Sequence, residues 1–396
     1  MLGIGVLIPV FPLLILPTSP FKITPDTWAL SSGFIMLGWL SASFPIAQFL
    51  FAPTLGQIAD RYGRKKTLAL SLFGTAFAYI LFAIGIITKN IPLMFISRIM
   101  DGVTGGNISV AQAVIADISS EKTRAKNFGL VGMAFGLGFI LGPFIGGKLS
   151  DPTVIHWFNA ATPFYFTAIL SLINMLSVLK FLPETLKTTT NRRIDITKPF
   201  NNITKAFSIT GLRNIMPSTF LFNAGFTFFT TFFAITLANK YSFSQGHIGN
   251  YFAYVGIMIV MAQGILVRRL SGRVTDFKVL RFSMFGTGIC LFAYYFIPAH
   301  HPYLLYVLPP IFASCNAMTF AFNGSLVTRI TPESIHAEAL GINSSIMAIA
   351  QAIPAVLSGY IAIINTSMPI LVGSATIILG GILFWLLFKP QQFINK

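Results

Sequence analysis

The sequence predicts an all-α membrane protein of about twelve spans, on three observations. Of its 396 residues 54% are hydrophobic and only 10% are charged, against about a quarter in soluble domains. The apolar residues gather in runs of about 20, the length that crosses a bilayer as helix. None of these runs shows the ten-residue alternation of a membrane β-barrel. A mean hydropathy of +0.75 leaves too few charges to cover a water-facing surface, so lipid is the expected solvent. In lipid, helix is what satisfies every backbone N–H and C=O within a single segment.

The runs follow in order. The first, from Met1 to about Leu16, is short and has Pro9, Pro12 and Pro17 in or beside it. It has no basic leader, so it is a poor signal peptide. It reads as the second half of a helix, and a truncated start is expected. The others lie at about 31–55, 67–88, 91–116, 126–149, 160–182, 216–239, 247–267, 279–298, 303–328, 338–361 and 367–388. One set of loops carries Arg61, Arg64, Lys65, Lys66; Lys122, Arg124, Lys126; Lys187 through Arg213; and Arg268, Arg269, Arg273, Lys278, Arg281. The alternate loops hold Lys22, Lys89, Lys148 and Lys240. Basic loops face the cytoplasm, so both termini are expected inside, in a cell membrane that reads as a bacterial inner membrane.

The longest polar stretch, 183–215, divides the spans into six and six. The expected organisation is a bundle at 1–182, a cytoplasmic linker at 183–215 and a second bundle at 216–396. The linker carries six basic residues between Lys187 and Arg213. It reads as a plain connector, or as a basic amphipathic helix on anionic lipid. Glu121, Ala125 and Gly129 recur in spacing as Glu333, Ala337 and Gly341, consistent with two parallel six-helix repeats.

A net charge of +16 would suit nucleic acid, but the cations lie in short loops between spans, so no nucleic-acid partner is expected. Cys290 and Cys315 sit inside apolar runs without metal-like spacing. No nucleotide-binding Gly-x-x-x-x-Gly-Lys-Ser/Thr loop is present. The expectation is therefore no enzyme, no cofactor and no metal, with energy drawn from an ion gradient or from the substrate's own.

The loop after the second span reads Gly56-Gln57-Ile58-Ala59-Asp60-Arg61-Tyr62-Gly63-Arg64-Lys65-Lys66. Gly56 and Gly63 permit a tight turn between antiparallel helices, and Asp60 sits among four cations that it can pair with. This stretch resembles the signature loop of the major facilitator superfamily. Arg98 and Gly102 resemble its second motif. Gly138, Gly142, Pro143, Gly146 and Gly147 resemble its antiporter motif, and Leu182-Pro183-Glu184-Thr185 resembles the usual exit from the sixth span. The branch most resembled is the drug:proton antiporters, in particular the tetracycline-efflux-like group, whose fourth helix is similar to Asn107–Asp117.

The resemblance implies a major facilitator fold of two six-helix bundles. It implies that Asp60 and Arg64, with Gly56, Arg61, Gly63 and Lys65 around them, belong to a cytoplasmic charge network that locks one end shut in the outward-open state. It also implies that Arg98 takes part in proton coupling, and that Gly142-Pro143 lets the fifth helix bend and pack on the opposite half. The sequence departs from tetracycline exporters at three places. Their third-helix acid is replaced by Phe77-Ala78-Tyr79. Their eighth-helix histidine has no counterpart beyond His247 at the mouth and Gln263 inside, and a first-helix aspartate would fall before Met1. Tetracycline itself is therefore not the expected substrate.

Within the spans Arg98 and Asp101 stand out, each costing roughly 2.5–3.5 kcal/mol to insert. Three residues apart on a helix they share a face and can pair. Burial favours a neutral carboxyl and a neighbouring cation favours an ionised one, the balance a proton carrier requires. A static structural pair is the alternative. The second half carries amides and rings instead. The expected cavity residues are Gln48, Asn107 and Gln112, then Asn223, Phe226, Gln263, Asn316 and Asn343. Such a cavity suits an amphipathic or aromatic molecule, although most of the 40 phenylalanines must face lipid or pack between helices. The expected function is proton-coupled export of a small organic molecule (a drug, metabolite or siderophore) by a monomer. Nutrient uptake or uniport is the alternative, and a non-transporting scaffold or receptor a third.

Overall fold

The computed structural model describes residues 2–17, 19–119, 134, 137–138, 141–186, 194–209, 211–331 and 336–388. At 2, 4, 328, 336–338 and 340 it describes the backbone alone. The described residues form helices joined by turns, with no strand among them. In chain order they are α1 (Leu2–Ile15), α2 (Leu30–Tyr62), α3 (Arg64–Ile87), α4 (Ile91–Thr104), α5 (Asn107–Asp117), α6 (141–149) and α7 (Thr162–Phe181). There follow α8 (Lys198–Ser208), α9 (Leu212–Tyr241), α10 (Gln245–Leu270), α11 (Asp276–Phe296), α12 (Pro309–Arg329), α13 (His336–Ile364) and α14 (Met368–Leu387). Among the described residues nine helices are long and apolar enough to cross a bilayer.

Local chemistry sets the ends. Asn90 caps α4, its side chain accepting the Leu93 N–H at 3.0 Å, with Pro92 in the first turn. α7 stops at Phe181 because Leu182, which precedes Pro183, turns to extended backbone. Three elements differ from the hydropathy pattern. α2 continues two turns past residue 55 to Tyr62, because a polar sequence ends a membrane run without ending a helix. The fourth span is two helices, broken at Gly105-Gly106, where glycine weakens helix most. α10 contains a six-residue π-helical stretch over Ala262–Val267. The stretch 183–215 holds α8 and the first turn of α9.

In the first half α3 packs on α4 and α7, and α2 on α4; in the second, α11 packs on α12 and α14, and α9 on α14. The halves meet through α2 on α13 and α1 on α9. At the end away from the basic loops the contact is close. Phe34 and Phe232 meet edge-to-face at 5.8 Å, and Trp39 Nε1 donates to Tyr360 Oη at 3.4 Å. α6 touches α10 so tightly that a Cβ on Gly147 would stand 2.7 Å from Gly249 Cα. At the basic end α8 lies against both halves. Phe200 meets Phe49 of α2 edge-to-face at 5.6 Å, and Asn202 Nδ2 donates to Ser345 Oγ of α13 at 3.0 Å.

Candidate functional site

Arg98 and Asp101 lie on one face of α4, and Arg98 Nη1 donates to Asp101 Oδ2 at 3.0 Å. Both are buried, 4% and 3% exposed. The Arg98 guanidinium stands 4.8 Å from the centre of the Phe44 ring, a cation–π contact from α2. Its Nε has no acceptor among the described residues. The Tyr79 hydroxyl of α3 faces the Asp101 carboxylate. Two hydrogen bonds fix α4 on α3: Ser97 Oγ donates to Ala78 O at 2.8 Å, and Thr75 Oγ1 and Thr104 Oγ1 are 3.1 Å apart. The group is thus one cation, one carboxylate and one phenol held in apolar surroundings. A carboxylate placed so can hold or release a proton whenever water reaches it. Tyr79 escaped the sequence reading because a tyrosine in an apolar run reads as core, although it stands at the place where an acid was missing.

A second charged group lies at the basic end. Arg64 pairs with Asp60 (Nη1–Oδ1 2.6 Å) and with Asp117 at the end of α5 (Nε–Oδ2 3.4 Å). Glu184, just past α7, accepts the backbone N–H of Arg64 and Lys65 at 2.9 and 3.2 Å, capping α3 from a distant part of the chain. Thr185 Oγ1 donates to Asp117 at 3.1 Å. Gly63 joins α2 to α3 at φ +109°, a region that disfavours side chains, and a Cβ there would lie 2.5 Å from Glu184 Oε2. Burial works to raise the Glu184 carboxyl, but the N–H groups of Leu186, Arg64, Lys65 and Thr185 outweigh it and hold the group below the ordinary carboxylate value. Of the other loop residues, Gln57 exchanges hydrogen bonds of 3.0 and 2.8 Å with the Asp195 backbone, and Arg61 lies over the Tyr62 ring. Asp117, Glu184 and Thr185 extend the network beyond the residues of the loop itself. Among the described residues the ion pairs of Arg64 lie within the first half.

The second half has a counterpart. Asp276, first residue of α11, accepts from Ser325 Oγ at 2.7 Å and pairs with Arg329 Nε at 3.3 Å. It ties the start of the ninth span to the end of the tenth, as Arg64 and Asp117 tie the third to the fourth, with the charges exchanged.

The remaining candidates are spread through both halves. Gly138 and Gly142, with Pro143, line up against Gly5 of α1, and Gly146 lies against Val6; Gly147 is the one placed on the opposite half. Gln48 Nε2 donates to Gly105 O at 3.1 Å, at the break in the fourth span. Asn107 and Gln112, on α5, are half-buried. Asn223 Nδ2 donates to Thr219 O at 2.8 Å. Phe226 lies among Phe229, Phe312 and Phe320. Gln263 sits on the π-turn. Asn316 and Asn343 are buried with Oδ1 lacking a partner among the described residues. The repeat positions Glu121, Ala125, Gly129 and Glu333, the side chain of Ala337, and the basic residues 122–126 and 187–193 lie outside the described residues.

The sequence profile of the Major Facilitator Superfamily matches residues 1–326 and 215–393. The class B tetracycline resistance protein of Escherichia coli is 34% identical over 195 residues, 49% of this chain and 44% of that protein. The chain thus spans less than half the length of that relative. Multidrug resistance protein 1 of Bacillus subtilis (strain 168) is 27% identical over 383 residues, 96% of this chain and 91% of that protein. The crystal structure of the human organic anion transporter MFSD10 (TETRAN) superposes with a TM-score of 0.69 at 20% identity, covering 97% of both chains, a likeness of fold. Nine membrane-length helices among the described residues and a profile match along nearly the whole chain lead to one assignment: the chain belongs to the Major Facilitator Superfamily of multi-pass membrane transporters.

Proposed function

We propose that this chain is a proton-coupled antiporter that exports a small amphipathic organic molecule across the bacterial inner membrane, working as a monomer. Asp101 carries the proton, Arg98 is its counter-ion and Tyr79 its hydrogen-bonding neighbour. Residues 1–182 and 216–396 form the two rocking bundles, with 183–215 as the cytoplasmic linker. Gln48, Asn107, Gln112, Asn223, Phe226, Gln263, Asn316 and Asn343 supply the cavity between them, its rings and neutral amides suited to a partly apolar molecule. Asp60, Arg64 and Asp117 form the cytoplasmic charge group, and the glycines 138, 142, 146 and 147 with Pro143 let the fifth span pack closely.

The observation that carries the reading is the buried Arg98–Asp101 pair. Intramembrane charge is costly and, where kept, marks ion pathways. The resistance proteins among the relatives support the direction of transport. In everted vesicles bearing a preformed proton gradient, addition of a transported compound should dissipate the gradient, and Asp101→Asn should abolish that response. An undiminished response in the variant would remove Asp101 from the mechanism.

A further inference from the structure

A buried carboxylate that carries a proton spends part of each cycle neutral, and its counter-ion is then a lone charge in a low dielectric. Arg98 meets that moment with few alternatives. Its Nη1 donates to Asp101 Oδ2 at 3.0 Å, and its Nε has no acceptor among the described residues. The other side-chain partner among them is a ring, Phe44 of α2, whose centre stands 4.8 Å from the guanidinium carbon. Phe44 is 6% exposed, so water does little to screen the contact. A desolvated cation–π contact is stronger than an exposed one.

The fourth span is shaped to accept this ring. It turns Gly102 and Gly105 toward α2: a Cβ on Gly102 would collide with the Phe44 carbonyl, and one on Gly105 would lie 3.0 Å from Phe44 Cε2. Gln48, one turn further along α2, donates to Gly105 O at 3.1 Å and holds the two helices at this spacing. The groups that act on the Asp101 carboxyl are Arg98 on its own helix, the amino group ahead of α1 and the Tyr79 hydroxyl on α3. From α2 the neighbours at this level are the Phe44 ring and the Gln48 amide, neither of which titrates.

We infer that Phe44 is a positioning residue for the proton step: its face holds the Arg98 guanidinium while Asp101 is neutral, and so sets how tightly the proton is bound. When water delivers a proton, an O–H bond forms on Asp101 and the carboxylate charge is lost. Arg98 keeps its own charge, and the negative face of the ring is the partner that remains. In the ionised state the carboxylate already neutralises the guanidinium, so the ring counts for less there. Phe44 therefore favours the protonated state over the ionised one. The inference rests on the reading of Asp101 as the proton carrier, and the test separates the two.

The full chain in dodecyl maltoside, a detergent without a carbonyl, is titrated with hydrogen ions and followed in the infrared. The signal is the C=O stretch of a protonated carboxyl, and the Asp101 band is the one that Asp101→Asn removes. Phe44→Leu keeps most of the bulk and loses the aromatic face. It should move the midpoint of that band to lower pH by about 0.5–1 unit, a threefold to tenfold weaker hold on the proton. Trifluorophenylalanine installed at position 44 keeps the shape of the ring and weakens its face, and should move the midpoint in the same direction. A fluorinated chain with the native midpoint would overturn the inference and leave Phe44 as packing, whatever the leucine variant does. A titration in which Asp101→Asn removes no band would instead strike the reading of Asp101 as the carrier, and the inference with it.

Discussion

The interiors of the first and last six spans are polar in different ways. The first holds an ion pair, Arg98–Asp101, at full burial. Among the described residues the buried polar groups of the second are neutral except Asp276, which sits at the first residue of α11 and pairs with Arg329 there. Thr219 bonds Asn323 at 2.9 Å, Thr319 bonds Ser283 at 2.8 Å, and the Tyr251 and Tyr294 hydroxyls meet at 2.8 Å. Around Tyr294 stand the rings of Phe229, Phe233 and Phe312. A buried charge must be held by fixed partners, since losing one strands the other in a low dielectric. Neutral hydroxyls and amides can exchange partners at modest cost, because such bonds between membrane helices are worth only about 0.6 kcal/mol on average. The contrast assigns rigidity to one half and adaptability to the other.

That contrast can be broken by substitution. Asp101→Ala strands Arg98 and should cost about 3–5 kcal/mol, whereas Asn323→Ala in the second half should cost about 1 kcal/mol or less. Thermal unfolding in detergent would compare them, and equal losses would erase the distinction. Next in size, Gly147→Leu must force apart α6 and α10 at the closed end, at a cost of about 1–3 kcal/mol. Cysteines placed at the mouth should then label faster from the side away from the basic loops. A smaller effect is expected from the charge-exchanged pairs. Asp276→Asn should cost about 0.2–1 kcal/mol because Arg329 is largely exposed, and the double exchange Asp276→Arg with Arg329→Asp should recover part of it. A loss that the double exchange fails to reduce would show that the pair does not act as a pair.

The smallest effect is a dependence on pH. The folded state holds the Glu184 carboxyl below its ordinary value of 4.5. Its stabilisation is therefore complete above the ordinary carboxylate range and is lost as the pH falls through the depressed folded value. The gap in thermal midpoint between the native chain and Glu184→Gln should be present at pH 7 and close on acidification. A gap that persists unchanged at low pH would assign Glu184 a packing role alone.

Most of the fold was legible because lipid imposes one rule, a long apolar helix, that hydropathy reads directly. What escaped depends on features hydropathy averages away. The break at Gly105-Gly106 sits inside a continuous apolar run, and the last turns of α2 are helical but polar. In the site, Arg98 and Asp101 were visible as charges where charges are expensive. Tyr79 was not, since its hydroxyl matters only when α3 and α4 are packed. The Asp276–Arg329 pair and the capping of α3 by Glu184 join residues far apart in sequence. No local pattern records them.

The widened turn at Ala262–Val267 bears on how this span tolerates insertion and deletion. A π-turn holds one residue more than the regular repeat needs. Loss of a single codon there would return α10 to ordinary helix and leave the residues on either side facing as they do now. The same loss within α9, which is regular from Leu212 to Tyr241, would rotate one flank relative to the other by about 100°. The eighth span can therefore shed one residue without scrambling the faces it presents to its neighbours.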